Sequence, residues 1–159
     1  MKRRTWIIAL VVLGAIGWYL FRPELLFVNK KVSEEQVAAA GASTMSALLS
    51  GQFHSVAHET HGAATVQDLG NGRRVLRLTD FATSNGPDVR IYLVAASDAS
   101  DNATVTKAGF IELGALKGNQ GDQNYDIPST VDLDRYRAVT IWCHRFNVNF
   151  ATAPLAPVS

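Results

Sequence analysis

The stretch that decides the fold is residues 138–150, AVTIWCHRFNVNF, which alternates like a β-strand but changes face part-way along. Val139, Ile141 and Cys143 would share one side of a strand, because neighbouring side chains point to opposite faces. In the second half, the apolar residues instead occupy the even positions 146, 148 and 150. We therefore predict a β-bulge or a short turn between Cys143 and Phe146, which would let both halves face one core.

Working outward, short alternating runs separated by glycine and asparagine turns recur after Gly51. The sequence Gly70-Asn71-Gly72 between two such runs predicts a β-hairpin. The only helical feature expected among them is one turn at residues 131–136. The fold class is therefore all-β, an antiparallel β-sandwich or small barrel of about seven or eight short strands. The predicted strands are residues 53–58, 63–69, 73–78, 89–95, 110–113, 123–127, 139–142 and 146–150.

The N-terminus has a different character. Residues 6–21, WIIALVVLGAIGWYLF, form an apolar run of 16 residues after a basic start. The run is shorter than the roughly 20 residues of a spanning helix, but it lacks the polar face of a soluble helix. No small-x-small cleavage site follows it. We predict an uncleaved signal-anchor at residues 1–22, with a cleaved signal peptide as the alternative. The chain beyond it should then be extracytoplasmic, either periplasmic or extracellular.

Two further segments complete the predicted organisation. Residues 23–50 are expected to be a stalk, partly helical, because Ser33 and Gln36 have the spacing of a capping box and an alanine-rich run follows. Residues 51–157 are expected to form the β-domain.

Charge and motifs exclude several function classes. The formal net charge of +1 hides an asymmetry, since the chain from Gly51 onward carries nine Lys and Arg against eleven Asp and Glu. A mildly acidic domain without basic clusters argues against a nucleic-acid partner. The sequence has no G-x-S-x-G elbow, no P-loop and no H-E-x-x-H helix, so it assigns no enzyme class.

Cys143 is the only cysteine, so it cannot form a disulfide within the chain. Four roles remain open for it: a buried thiol, a reactive thiol, an intermolecular bridge or a cofactor ligand. Two glycine-rich loops, residues 79–88 and 113–125, also remain open to two interpretations. They are either structural corners or the frame of a binding site.

Several motifs in these loops and strands resemble the DM13 domain family, over about residues 51–155. The resemblance implies a small extracytoplasmic all-β domain. It also implies a role in electron transfer or redox chemistry at the cell surface, a proposal that rests on a characteristic cysteine that Cys143 matches. The motifs are residues 75–81 (VLRLTDF), 83–89 (TSNGPDV), 116–119 (LKGN), 121–125 (GDQNY) and 141–143 (IWC).

We therefore place the candidate functional centre at Cys143. Trp142 is expected to shape its pocket, and His144 or Arg145 to tune its charge. His58 is the candidate metal ligand, because among the nearby histidines it best fits the family pattern. The candidate cofactor-binding residues come from the two loops and the strands beside them: Asp80, Asn85, Asp88 and Tyr125.

A single thiol cannot complete a dithiol cycle, so a redox role needs a partner thiol, a metal or a haem. The cofactor is not identified by the sequence, and haem and copper are the two candidates. The expected partners are the membrane, through the N-terminal helix, and a redox partner protein. The alternative function is a non-catalytic binding or adhesion module for a surface protein or a carbohydrate.

Overall fold

The computed structural model describes residues 2–21, 28–38, 45–70 and 72–158. A first helix, α1 (Lys2–Phe21), precedes a domain built mainly of strands. Large apolar side chains of α1, including those of Trp6, Leu10 and Leu13, are exposed. Within the described ranges, no helix combines the length and the apolar character that a membrane crossing demands.

The strands of the described chain form two antiparallel sheets of five strands each. The first sheet contains β1 (Ser46–Gln52), β3 (His61–Asp68), β4 (Arg74–Ala82), β7 (Gln123–Ile127) and β10 (Ala156–Pro157). The second contains β2 (His54–Ser55), β5 (Val89–Val94), β6 (Phe110–Ala115), β8 (Ala138–Cys143) and β9 (Val148–Pro154). The strand orders are β10-β1-β3-β4-β7 and β2-β9-β8-β5-β6.

The inner faces of the two sheets share one hydrophobic core. Leu76 and Leu78 of β4 and Ile91 and Ile141 of the second sheet are all fully buried in it. Complete burial of such a side chain stabilises the fold by about 1.5–3 kcal/mol. This shared core is the arrangement of a β-sandwich.

Several predicted elements are confirmed. β3 and β4 pair as an antiparallel hairpin, and β7 has the predicted bounds. Val89, Ile91 and Leu93 all belong to the main core, as their alternation predicts. Tyr92 and Val94, on the opposite face of β5, belong to a second cluster.

The second cluster packs beneath a helix that the sequence analysis missed, α2 (Asn102–Ala108). The Asp101 side chain caps it by accepting a hydrogen bond from the Thr104 amide at 2.6 Å. Val105 is its buried residue and joins Trp142 in the second cluster. One face of the second sheet is thereby covered.

Other predictions need correction. No helix starts at Ser33, because residues 32–38 have no regular secondary structure and contact the β-domain instead. The part of that predicted helix within residues 39–44 lies outside the described residues. β1 begins at Ser46, inside the predicted stalk, and the predicted strand at residues 53–58 is reduced to His54–Ser55. The strand count is higher than predicted because β1 and the two-residue strand β10 were not predicted.

Candidate functional site

A turn separates the two halves of the stretch that contains Cys143. β8 ends at Cys143, residues 144–147 form the turn, and Asn147 takes a positive φ of 52°. The prediction of a turn is therefore confirmed. Phe146 is not a core residue, since 63% of it is exposed. A register shift between β8 and β9 brings Phe150 and Ala151 into the same core.

Cys143 itself is completely buried. Its exposure is 0%, its thiol is free, and it belongs to the main core. Cys143 lies directly opposite Val89 of β5 on one side and Val148 of β9 on the other. Side chains in such cross-strand pairs lie about 4.5–5.5 Å apart at their Cβ atoms, so the thiol is flanked by two valines. An apolar site of this kind keeps solvent away from the sulfur.

Trp142 lies on the other face of the same strand. It belongs to the second cluster with Tyr92, whose ring centroid is 6.1 Å from that of Trp142. Trp142 is 2% exposed. The expectation that Trp142 shapes the pocket of Cys143 is therefore wrong. Adjacent residues of a strand point to opposite faces, so Cys143 lies in the main core and Trp142 in the second cluster.

His144 begins the turn and is linked to Asp88. Its amide donates to the Asp88 carbonyl oxygen at 2.8 Å, and its Nδ1 lies 3.3 Å from Asp88 Oδ2. Arg90 donates to the same carboxylate from Nε at 2.9 Å. This hydrogen bond lowers the pKa of the Asp88 carboxyl, although partial burial opposes the change. Arg145, the other candidate for tuning the thiol, is exposed.

A cleft of about 300 Å³ opens beside this pair. Residues 84–89 and 115–119 line it together with Val28 and Lys30. The two loops singled out from the sequence therefore meet at one cleft. Asn85 and Asp88 belong to its lining, and Val89, the cross-strand neighbour of Cys143, belongs to it as well. Such a volume is at the lower end for small-molecule sites.

Asp80 and Tyr125 are not part of this cleft lining. Asp80 has a positive φ of 49°, and its amide donates to Asp122 Oδ1 at 3.0 Å. Tyr125 is 4% exposed, and its hydroxyl donates to Gln123 Oε1 at 2.8 Å. Burial raises the pKa of Tyr125 to about 12. Both residues therefore make structural contacts that hold the loops.

His58 packs on an aromatic ring. Its ring centroid is 3.8 Å from that of Phe150, with the planes inclined by 39°. His54 instead binds Asp98, with Nε2 2.8 Å from Oδ1. Among the described residues, no three His, Cys, Asp or Glu side chains come together in a group that could hold a metal ion. The neighbours of Cys143 therefore do not fit a bound copper ion, and its burial between two valines leaves no approach for a haem iron.

Two features of this region have no counterpart in the sequence analysis. Residues 28–35 are held by long-range hydrogen bonds to Asn85 of the first loop and to residues 119–124 of the second loop. Beyond the other face of the second sheet, buried Asn149 donates from Nδ2 to the Ala99 carbonyl oxygen at 2.6 Å and to Thr152 at 3.1 Å. The sequence contained one indication of the buried asparagine, because Asn149 stands between Val148 and Phe150, two apolar residues of the predicted strand.

The two-sheet core, the covering helix and the loop cleft define a small β-domain with one buried thiol. The family model described as "Electron transfer DM13" matches residues 52–155, and the chain belongs to this family. The resemblance stated from the sequence is thereby confirmed. No curated protein and no solved structure gives a significant match.

Proposed function

We propose that this chain is a membrane-tethered, extracytoplasmic electron-transfer domain in which electrons pass between Cys143 and a redox partner protein docked at the cleft. The family match supports electron transfer in general. The observation that supports this particular place is the double role of Val89, which lines the cleft and pairs with Cys143. One layer of side chains therefore separates the thiol from a docked partner.

Burial determines what kind of redox chemistry fits. A thiol takes part in thiol–disulfide exchange only when its sulfur can reach the sulfur of a disulfide, and Cys143 is 0% exposed. The oxidant is therefore the partner's own redox group, which accepts one electron without touching the sulfur. The thiol proton must leave at the same time. His144 is the next residue in the chain and has an exposed imidazole, and on that basis it is the proposed acceptor of the proton.

The proposed tether is α1. Its large apolar side chains are exposed, which is unfavourable in water and favourable in an apolar environment. The basic residues at positions 2–4 suit the cytoplasmic side of a membrane. Mass spectrometry of the mature protein tests retention, since a mature N-terminus beyond Phe21 would contradict the anchor. Resistance of the membrane-bound protein to alkaline extraction tests insertion.

A second candidate function is a non-catalytic binding or adhesion module for a surface protein or a carbohydrate. The complete burial of Cys143 favours it, because a thiol in an apolar slot is also an ordinary core residue. In this case the cleft is the binding surface and the sulfur contributes only packing.

Electron exchange of the full chain in detergent separates the two functions. We expect protein-film voltammetry to give a signal that Cys143→Ala abolishes. The matched control is Val105→Ala, which truncates a buried residue of the second cluster and does not touch the main core. A signal that is absent from the natural protein, or that survives in Cys143→Ala, would reject the role of the thiol. Labelling of the single thiol in the native and unfolded protein checks its burial independently.

A further inference from the structure

Residues 28–35, here called the strap, lie extended across the two loops of the domain. Lys31 forms a parallel β-bridge with Gln120. Gln120 returns a hydrogen bond to the strap, from its amide to the Lys30 carbonyl oxygen at 3.3 Å. Three strap amides donate at alternate positions: Lys30 to Asn119 Oδ1 (2.7 Å), Val32 to the Gln120 carbonyl oxygen (2.9 Å) and Glu34 to the Asp122 carbonyl oxygen (3.0 Å).

Glu34 anchors the C-terminal half of the strap through its side chain. Its two carboxylate oxygens lie 2.7 and 2.9 Å from Lys117 Nζ, and one also accepts from the Asn124 amide at 2.7 Å. Partial burial acts to raise the pKa of Glu34, but these hydrogen bonds outweigh it and the pKa is lowered. Charge-assisted bonds of this kind are stronger than neutral ones. The loop therefore recognises a carboxylate at this position.

Two loop glycines leave room for the strap backbone. A Cβ built on Gly118 would collide with the Lys30 carbonyl oxygen and with the Val32 side chain. A Cβ on Gly121 would collide with the Val32 carbonyl oxygen. The nearest atoms at both positions belong to the strap and not to the β-domain. The surface of the loop is therefore shaped to receive an extended backbone.

We propose that residues 117–124 form a binding site for an extended peptide that places a carboxylate against Lys117, and that the chain's own strap occupies this site. The family match covers residues 52–155, so the site lies inside the matched domain and its ligand lies outside it. Val28 and Lys30 of the bound strap complete one wall of the cleft. Occupation of the site thus determines the shape of the cleft. The consequence for a docked redox partner rests on the function proposed above.

The chain's own strap is favoured over any other occupant by its attachment. The strap ends at residue 35 and β1 begins at Ser46, so a short connector joins the ligand to its site. A connector of this length gives an effective concentration of the order of millimolar. A free peptide, or the strap of a second copy, would have to be present at a similar concentration to displace it.

Amide hydrogen exchange of the full chain in detergent tests the proposal. We expect the amides of residues 30, 32 and 34 to exchange at least tenfold more slowly than those of residues 31, 33 and 35. Among the described residues, the second set has no hydrogen-bond acceptor. The pattern should be independent of protein concentration. A millimolar excess of the free peptide VNKKVSEEQVA, residues 28–38, should reduce it.

Substitutions make the test specific. Gly118→Ala should abolish the alternation, because Gly118 has no positive φ and the atoms nearest to the new methyl group belong to the strap. Glu34→Gln should weaken it several-fold, whereas Glu35→Gln, at the exposed neighbouring residue, should not. The exchange of the Ile141 amide, in the core strand β8, reports whether each variant is folded.

The outcomes are decisive in both directions. Equal exchange at all six amides of the natural chain would overturn the proposal. Protection that rises with protein concentration would assign the bound strap to a second copy and overturn occupation by the same chain. If Gly118→Ala does not fold, Glu34→Gln against Glu35→Gln still decides. None of these results depends on electron transfer, so the strap proposal can be rejected without rejecting the redox proposal, and the reverse also holds.

Discussion

Gly86→Ala should destabilise the domain by overpacking the region between the cleft and the core. A Cβ at Gly86 would lie 2.7 Å from Val89 Cγ2 and 3.1 Å from Phe150 Cζ, whereas ordinary contact begins at 3.4 Å. Both neighbours are buried, and Phe150 is packed against the ring of His58. Inserting a methyl group into such a site costs about 1–3 kcal/mol in unfolding free energy. Backbone strain is not the cause, because Gly86 has no positive φ.

Chemical denaturation of single and double variants measures this effect. Val89→Ala removes the closest atom, at a cost of about 1–2 kcal/mol on its own. The double variant should then be less destabilised than the sum of the two single changes, by about 1 kcal/mol or more. Val105→Ala, in the second cluster, is the control and should add independently. Additive effects of Gly86→Ala and Val89→Ala would refute the packing explanation, and so would an unchanged midpoint for Gly86→Ala.

Three further expectations concern polar contacts. Tyr125→Phe should reduce the unfolding free energy by about 1–2 kcal/mol, because Gln123, fully buried, loses its bond to the hydroxyl; an unchanged denaturation midpoint would contradict this. The pKa of Glu34 in the folded state is lowered from 4.5. The contribution of ionised Glu34 to the stability of the folded chain is therefore complete above pH 4.5 and is lost as the pH falls through the folded-state pKa. Because the Glu34 and Lys117 side chains are partly exposed, this contribution should be about 1 kcal/mol or less. Glu34→Gln should remove the dependence of strap protection on acidic pH. Arg90→Gln should raise the lowered pKa of Asp88 toward 3.8, and NMR titration of that carboxyl without any change would exclude Arg90 as the cause.

The parts of the fold that follow a local rule are the parts that the sequence predicts. β5 shows the clearest case, because Val89, Ile91 and Leu93 alternate and bury the same face. The change of face after Cys143 also predicts an irregularity, a bulge or a short turn, because a regular strand cannot place both halves on one face. α2 escaped prediction because NATVTKA is short and rich in β-branched residues, although Asp101 before it is a good N-cap.

The parts that the sequence does not predict depend on distant partners. Ser33 and Gln36 have the spacing of a capping box, whose local contribution is about 1 kcal/mol. Glu34, between them, instead binds Lys117 and Asn124, at least 83 residues away along the chain. The pattern of residues 28–38 gives no indication that these distant residues are the partners of Glu34. In the candidate site, Asn85 and Asp88 share a cleft with residues 115–119, which are distant in the sequence. The separation of Trp142 from Cys143 follows instead from the alternation of side chains along a strand, which is a local rule.

The position of the strap also sets how far the domain can reach from α1. The helix ends at Phe21 and the strap begins at Val28, so residues 22–27 alone span the gap. Six residues cover at most about 20 Å. If the strap were released, the connector to β1 would comprise residues 22–45 and could extend to about 80 Å. With α1 in a bilayer, as proposed, the bound strap would hold the cleft close to the membrane surface, and release of the strap would let the domain move away from it.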